Sequence, residues 1–169
     1  VLCFQAPPDH PQSAEKQMDA HGTSFDNVET AQDDVALIAF TSGTTGQPKG
    51  VFVPPHSSDV NAPHPLVSSM GAAFGFSEET VYLSPAPLYH AAPLHWTMMA
   101  TYYGGTCVIM EKFEPELALQ LIEEHRVTHS QWVPIMFIRM LKLQQEVRDR
   151  YDVSSMQFAI HAAAPCPIE

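Results

Sequence analysis

Short apolar runs alternate with longer segments in which apolar positions recur every three or four residues. The run VALIAF at 35–40 is apolar and leads into a Ser- and Gly-rich segment, which predicts a buried strand that delivers a loop. Four later runs are β-branched, aromatic or apolar over five to seven residues and also predict strands. These predicted strands are 80–84, 106–110, 127–133 and 156–161.

The segments between these runs have helical character. The helix over 90–103 should stop at Gly104 and Gly105, and the helix over 115–125 begins with Pro and acidic residues. Helices are also predicted over 66–74 and from 134 to about 148. Alternating strands and helices imply an α/β fold with a largely parallel sheet and right-handed crossovers.

Two stretches lack either period. Residues 1–32 are rich in Pro, Gln, Asp and His and read as a loop or as the remainder of a preceding region. The segment VFVPPHSSDVNAPHP after Gly50 contains four prolines, which remove backbone donors, so we expect an irregular surface excursion there.

Composition narrows the class of protein. The 169 residues are 45% hydrophobic, with no apolar run long enough to cross a membrane and no signal-peptide pattern, so we expect a cytoplasmic globular protein. The formal net charge of −11, with 8 Lys and Arg, argues against nucleic acid as a partner. Cys3, Cys107 and Cys166 are odd in number and widely spaced, which favours reduced thiols. Oligomeric state is not predicted.

The sequence TSGTTGQPKG, from Thr41 to Gly50, carries the clearest chemistry. Its glycines let backbone N–H groups approach an anion, its hydroxyls add donors, and its lysine adds a positive charge. Each hydrogen bond to a charged group is worth about 1.5–3 kcal/mol, so a few local donors outweigh the distant carboxylates. The segment therefore predicts a phosphate-binding loop.

Other readings of this loop fail or are weaker. A Walker A loop needs Gly-Lys-Ser/Thr, whereas Pro48 precedes Lys49 and Gly50 follows it. A Ser-His hydrolase would need a GxSxG motif, which is missing. A flexible Ser/Thr/Gly linker remains open on composition alone, but the position after a buried strand disfavours it.

TSGTTGQPKG resembles the signature loop of the adenylate-forming (AMP-binding) superfamily. YLSPAPLYHAAPL, GGTCVIMEKFEPELAL, THSQWVPIMFIRMLKL and IHAAAPCP resemble the bacterial fatty-acyl-CoA synthetase branch in matching order. The resemblance implies that 33–169 is part of the multi-layer N-terminal domain, a largely parallel sheet flanked by helices, and that 1–32 precedes it. Gln47 and the VFVPPH segment depart from the commonest family pattern.

The resemblance also implies roles for particular residues. The ATP phosphates would be held by residues of the loop: Thr41, Ser42, Gly43, Thr44, Thr45, Gly46 and Lys49. The acyl and adenine pocket would be bordered by His90 and by a run of small residues: Ala162, Ala163, Ala164 and Pro165. Spacing alone favours a core histidine for His90.

The activity implied by the resemblance is that of an ATP-dependent acid-thiol ligase. Its co-substrates would be ATP and CoA, and its cofactor would be Mg²⁺. It would activate a fatty acid as acyl-adenylate and transfer it to CoA. Because the family's magnesium-linked Glu and its C-terminal catalytic Lys would lie beyond residue 169, we expect no complete catalytic set and little activity in this piece. The alternatives are an aryl-CoA ligase, a peptide-synthetase-like adenylation domain, or a non-catalytic nucleotide- or acyl-binding remnant.

Two further candidates are assigned no function. His125 and His129 lie four apart beside two glutamates, but the order EEHRVTH does not match a metal-binding helix, so no metal site is predicted. Trp132 could line a pocket, although a Trp in an apolar run usually belongs to the core.

Overall fold

The computed structural model describes the following residues: 16, 20, 31, 34, 37–41, 49–53, 57, 62–162 and 164–165. The chain forms two compact units, residues 1–58 and residues 59–169.

The first unit contains an antiparallel hairpin. Strand β1, Leu37–Thr41, pairs with strand β2, Lys49–Val53, in continuous register from Leu37 opposite Val53 to Thr41 opposite Lys49. The strand predicted at 35–40 is therefore present with a small shift, but the prediction that it is buried is wrong at Ile38, which is 52% exposed. The prediction of an irregular segment directly after Gly50 is wrong for residues 51–53. Val and Phe favour strands, and the first proline follows only after the strand has ended.

The second unit contains a parallel four-stranded sheet, which confirms the predicted α/β class. Its strands in chain order are β3 Val81–Ser84, β4 Thr106–Ile109, β5 His129–Trp132 and β6 Phe158–His161. Their spatial order is β4-β3-β5-β6. The helices are α1 Pro65–Ala73, α2 Ala91–Tyr102, α3 Pro115–His125, α4 Pro134–Leu141 and α5 Gln145–Arg148.

Helices cover both faces of this sheet. On one face Tyr82 of β3 packs with Trp96, Met99 and Ala100 of α2. On the other face Leu83 packs in a cluster with residues of α3 and α4: Ala118, Ile122 and Met136. Neighbouring residues of β3 thus point into opposite cores, and the strand is buried on both sides, as expected for a parallel sheet.

The short connections explain where elements begin and end. Helix α3 begins at Pro115, because proline lacks the N–H group that would have no partner within the first turn of a helix. The helix ends where Arg126 adopts a left-handed conformation with φ 52°. An alanine methyl group at Gly105, between α2 and β4, would lie 2.7 Å from the Thr80 carbonyl oxygen. The backbone approach at this turn therefore requires glycine.

The prediction of one helix from 134 to about 148 is wrong in one respect, because the structure has two helices in this range. Helix α4 ends at Leu141, and Gln144 takes an extended ψ of 146° before α5 starts. The Gln144 carbonyl then accepts hydrogen bonds from the N–H groups of Val147 and Arg148, at 3.0 and 3.1 Å. The start of this second helix depends on one backbone angle, and the spacing of apolar residues in the sequence does not reveal it.

Within the described ranges, none of the helices combines the length and the apolar character that crossing a bilayer requires.

Candidate functional site

The phosphate-loop candidate is closed by the hairpin of the first unit. Thr41 ends β1 and Lys49 begins β2, and the two residues are direct partners in the ladder. Opposite residues in an antiparallel pair have Cα atoms about 4.5–5.5 Å apart. Lys49 is exposed and lies on a strand at the base of the loop. Five of the predicted residues fall outside the described residues: Ser42, Gly43, Thr44, Thr45 and Gly46.

The second unit has a topological switch at its centre. From β3 the chain crosses through α2 to β4 on one side, and from β5 it crosses through α4 and α5 to β6 on the other side. Strands β3 and β5 are neighbours, so their connections leave the carboxyl edge in opposite directions. Ligands of open α/β sheets bind in the crevice that such a divergence creates. The topology therefore marks the carboxyl ends of β3 and β5 as the candidate binding crevice.

His90 lies on the connection that leaves β3 at this edge. It is the N-cap of α2, its N–H donates to the Pro87 carbonyl at 3.1 Å, and its carbonyl accepts from Leu94 N–H at 3.2 Å. The residue is exposed, and its imidazole packs against Tyr89 with ring centroids 4.5 Å apart. His90 is therefore an exposed residue on the connection at this edge and not a core histidine.

The small-residue segment leaves β6 at the same edge. The N–H of Ala162 donates to the Trp132 carbonyl at 3.1 Å, which ties the start of the segment to the end of β5. Ala164 and Pro165 are exposed, and Ala163 falls outside the described residues. His90 and Ala162 thus follow strands that end at one edge, on the two sides of β5.

Two buried polar side chains at the crevice were missed by the sequence reasoning. Ser84 ends β3 and is fully buried, and Gln131 of β5 is 1% exposed. Among the described residues, neither Ser84 Oγ nor Gln131 Oε1 has a hydrogen-bond partner. The available signal was a polar pair, Ser130 and Gln131, inside a strand that parallel topology buries on both faces.

His129 is a core histidine on β5. It is 1% exposed, and its ring lies between Phe76 and Phe158, at centroid distances of 4.6 and 5.1 Å. Its Nε2 lies 2.7 Å from the Phe74 carbonyl, which can only accept, so Nε2 carries the proton. Its Nδ1, 2.8 Å from Thr128 Oγ1, is then the acceptor. Both ring nitrogens therefore have hydrogen-bond partners within the protein.

Desolvation by burial lowers the pKa of His129 below its usual 6.5, although the hydrogen bond to the Phe74 carbonyl acts in the opposite direction. The folded state therefore binds fewer protons than the unfolded state between the two pKa values. The contribution of His129 to stability should be complete above pH 6.5 and should decline as the pH falls below it. We expect the urea concentration at the midpoint of unfolding of the complete gene product to decrease as the pH is lowered from 7 to 5.

Variants assign that decline to one side chain. His129→Gln should flatten the dependence of the unfolding midpoint on pH, whatever its effect on stability at pH 7. His125→Gln, at an exposed position on α3, should retain the wild-type slope. Equal slopes in all three proteins would show that His129 does not carry the effect.

The described titratable groups offer no metal centre and no acidic tyrosine at the crevice. Among the residues that the structure describes, no group of three His, Cys, Asp or Glu side chains is arranged so that it could hold a metal ion. Burial raises the pKa of the Tyr82 hydroxyl far above its usual 10.0, so the group stays neutral at physiological pH.

The chain is similar to plant CoA ligases in sequence. It is 34% identical to 4-coumarate-CoA ligase 1 of Narcissus pseudonarcissus over 139 residues, which cover 82% of this chain and 25% of the relative. It is 30% identical to 4-coumarate-CoA ligase 1 of Petroselinum crispum, covering 98% of this chain and 30% of the relative. The chain thus spans between a quarter and a third of the length of these relatives.

Solved structures and a family model agree with this similarity. The inhibitor-bound N-terminal domain of FACL13 from Mycobacterium tuberculosis matches with a TM-score of 0.77 and 27% identity, over 91% of this chain and 37% of that one. ATP-bound MatB from Rhodopseudomonas palustris matches with a TM-score of 0.72 and 26% identity, over 94% and 30%. The AMP-binding enzyme family model matches residues 2–169. Because this match covers almost every residue, the chain belongs to the family of AMP-binding enzymes, as its phosphate-loop sequence predicted.

Proposed function

We propose that the complete gene product is an ATP-dependent acid-CoA ligase. The observation that carries this proposal is the loop TSGTTGQPKG, closed by the paired ends Thr41 and Lys49, in a chain of the AMP-binding enzyme family. The similarity to 4-coumarate-CoA ligases supports the ligase class, and the similarity to ATP-bound MatB supports ATP as the nucleotide.

The proposed reaction has two displacement steps. A carboxylate oxygen of the acid attacks the α-phosphorus of ATP, the bond to the β-phosphate oxygen breaks, and pyrophosphate leaves with its electron pair. The sulfur of CoA then attacks the acyl carbon of the acyl-adenylate, AMP leaves, and the thiol proton passes to solvent. No protein nucleophile is required, so binding, alignment and charge neutralisation are the main contributions of the protein.

The residues proposed for these steps have different tasks. Lys49 and the loop residues would hold the β- and γ-phosphates, which become the leaving pyrophosphate. Backbone N–H groups and hydroxyls are suited to this because each is a donor and phosphate oxygens are acceptors. His90 would lie near the carboxylate of the acid, and residues 162–165 would face the adenine and the acyl group. The shared carboxyl edge of β3, β5 and β6 supports the last two placements.

Magnesium is a separate matter, because the described residues do not provide a protein-made site for it. Phosphate oxygens of the nucleotide are themselves ligands for Mg²⁺.

The preferred acid is the point on which sequence motifs and relatives differ. The downstream motifs predict a fatty acid, and that stays a prediction. The named relatives at 30–34% identity act on 4-coumarate, an aryl acid, and they favour the aryl alternative. We therefore propose an aryl acid of this size as the first substrate to test. A cytoplasmic location is also proposed, because the proposed co-substrates ATP and CoA are soluble.

The test is pyrophosphate release by the complete gene product with ATP, Mg²⁺ and CoA. A panel should contain 4-coumarate, benzoate, octanoate, palmitate and several amino acids. We expect release that depends on the acid, and thioester formation with one acid class. If no acid in the panel stimulates release, the ligase proposal is wrong, and a nucleotide- or acyl-binding remnant becomes the better description.

A further inference from the structure

The carboxyl end of strand β5 extends beyond the part of the strand that β3 supports. The ladder between β3 and β5 ends where Leu83 lies opposite Ser130. The ladder between β5 and β6 continues to Trp132 opposite His161. Among the described strands, Trp132 therefore has a ladder partner on the β6 side only. The last peptide of β5 needs support from another group if its direction is to be fixed.

The side chain of Gln131 supplies such support. It is 1% exposed, and its Nε2 donates to the Trp132 carbonyl at 2.7 Å. A carbonyl oxygen can only accept, so the carboxamide nitrogen and not its oxygen faces it. The same carbonyl accepts the N–H of Ala162 at 3.1 Å. It thus has two donors, one from a buried side chain and one from the first residue of the segment 162–165.

The backbone changes direction immediately after this carbonyl. Val133 is the N-cap of α4 with an extended ψ of 150°, and no side-chain hydrogen bond caps that helix. The turn from strand to helix therefore starts at the peptide whose oxygen Gln131 holds. Because the N–H of Ala162 bonds the same oxygen, a rotation of this peptide changes the direction in which the segment 162–165 leaves β6.

The other buried polar side chains of β3 and β5 do not reach this carbonyl. The Ser130 hydroxyl donates at 2.7 Å to the Leu83 carbonyl, which already lies within the β3-β5 ladder. The Tyr82 hydroxyl and the indole N–H of Trp132 have no hydrogen-bond partner among the described residues. In the described part of the chain, Gln131 is thus the side chain that shares an acceptor with Ala162.

From these contacts we propose that Gln131 is a positioning residue for the nucleotide, because it sets the direction of the segment 162–165 through the Trp132 carbonyl. This inference rests on the proposed ligase function, in which that segment faces the adenine and the acyl group. Gln131 acts through the backbone and not by touching ATP. The segment contacts ATP equally before and during the chemical step, so a change at Gln131 alters KM for ATP and not kcat.

The test measures pyrophosphate release by the complete gene product as a function of ATP concentration, with Mg²⁺, CoA and a saturating concentration of the acid that the panel identifies. Gln131→Met keeps the length and volume of the side chain and removes the donor. We expect KM for ATP to rise about two- to tenfold, the range for the loss of one neutral hydrogen bond, with kcat within about twofold of the wild type.

Two control variants separate positioning from general loosening of the fold. Gln120→Met makes the same change at an exposed position on α3. Ser130→Ala removes a buried hydrogen bond of the same length from the same strand. Both should keep the wild-type KM for ATP. A rise in Ser130→Ala as large as that in Gln131→Met would overturn the inference.

Gln131→Glu adds a pH profile that a merely structural role would not produce. A protonated carboxyl group can donate to the Trp132 carbonyl, whereas a carboxylate cannot, and burial favours the protonated form. The ratio of KM for ATP between Gln131→Glu and the wild type should be near one at pH 6 and should rise toward pH 9. A ratio equally raised at both pH values would overturn the inference, also in the case that Gln131→Met does not fold.

Two measurements without turnover separate failure of this inference from failure of the ligase proposal. In Gln131→Met, hydrogen exchange of residues 158–165 should be faster than in the wild type, and calorimetric titration should show about two- to tenfold weaker ATP binding. Both results in a protein that releases no pyrophosphate with any acid would uphold the inference and overturn the ligase proposal. Unchanged exchange and ATP binding in an active Gln131→Met enzyme would overturn the inference and leave the ligase proposal standing.

Discussion

Replacing Lys49 by Ala should lower kcat/KM for ATP in the complete gene product by about 10- to 150-fold. That range corresponds to the loss of one charged hydrogen bond to phosphate, worth about 1.5–3 kcal/mol. Lys49 begins β2 and is paired with Thr41, so the hairpin holds its backbone at the base of the loop. Its exposed side chain is available to a ligand. The measurement is initial pyrophosphate release as a function of ATP concentration.

Lys142→Ala is the matched control for that loss. Lys142 is also exposed and carries the same charge, but it follows α4 and is not among the residues proposed to bind ATP, so ATP kinetics should stay at the wild-type level. Gly46→Val should also weaken ATP use, because a side chain there would block the approach of phosphate to backbone N–H groups. Unchanged ATP kinetics in both Lys49→Ala and Gly46→Val would remove the loop from the proposed role.

Replacing Leu83 by Ala should lower the free energy of unfolding by about 2–5 kcal/mol, as expected when a buried leucine is truncated and leaves a cavity. Leu83 is fully buried in β3, which has a parallel neighbour on each side. Its side chain packs into the cluster that joins the sheet to α3 and α4. Equilibrium urea unfolding, monitored by tryptophan fluorescence, to which Trp132 of the same cluster contributes, measures the loss.

Leu141→Ala removes the same atoms from a side chain that is 65% exposed, at the end of α4. Its effect should stay within about 0.5 kcal/mol, because little apolar surface is lost from the core and alanine favours helix. Similar losses for Leu83→Ala and Leu141→Ala would contradict the assignment of β3 to the centre of the core.

Elements whose ends have local causes were predicted well. Helix α3 occupies Pro115–His125 as expected, because a proline starts it and its amphipathic period stops where Arg126 turns. The strand predicted at 127–133 is shorter in the structure, where it spans His129–Trp132. The reason is that the N–H of Val127 donates to the Ile122 carbonyl at 3.0 Å in the turn after α3. Local chemistry decided both the success and the shift.

Elements that depend on distant partners were harder. Residues 51–53 became a strand because β1 lies beside them, and the prolines that suggested an irregular segment begin only at residue 54. The break between α4 and α5 depends on the backbone of Gln144, which carries no sequence signal for a helix end. Apolar periodicity reports faces of elements and says little about such pairings and turns.

The sequence by itself determined the family, through the order of hydroxyls, glycines and lysine in TSGTTGQPKG, and it determined the α/β class through its alternating periods. These are properties of contiguous residues, so no folding is needed to read them. Only the tertiary structure decided that β3 and β5 are neighbours whose connections diverge. Strand order depends on contacts between residues far apart in the chain. It therefore took the fold to bring Ser84 next to Gln131, bury both, and leave two polar atoms without partners among the described residues.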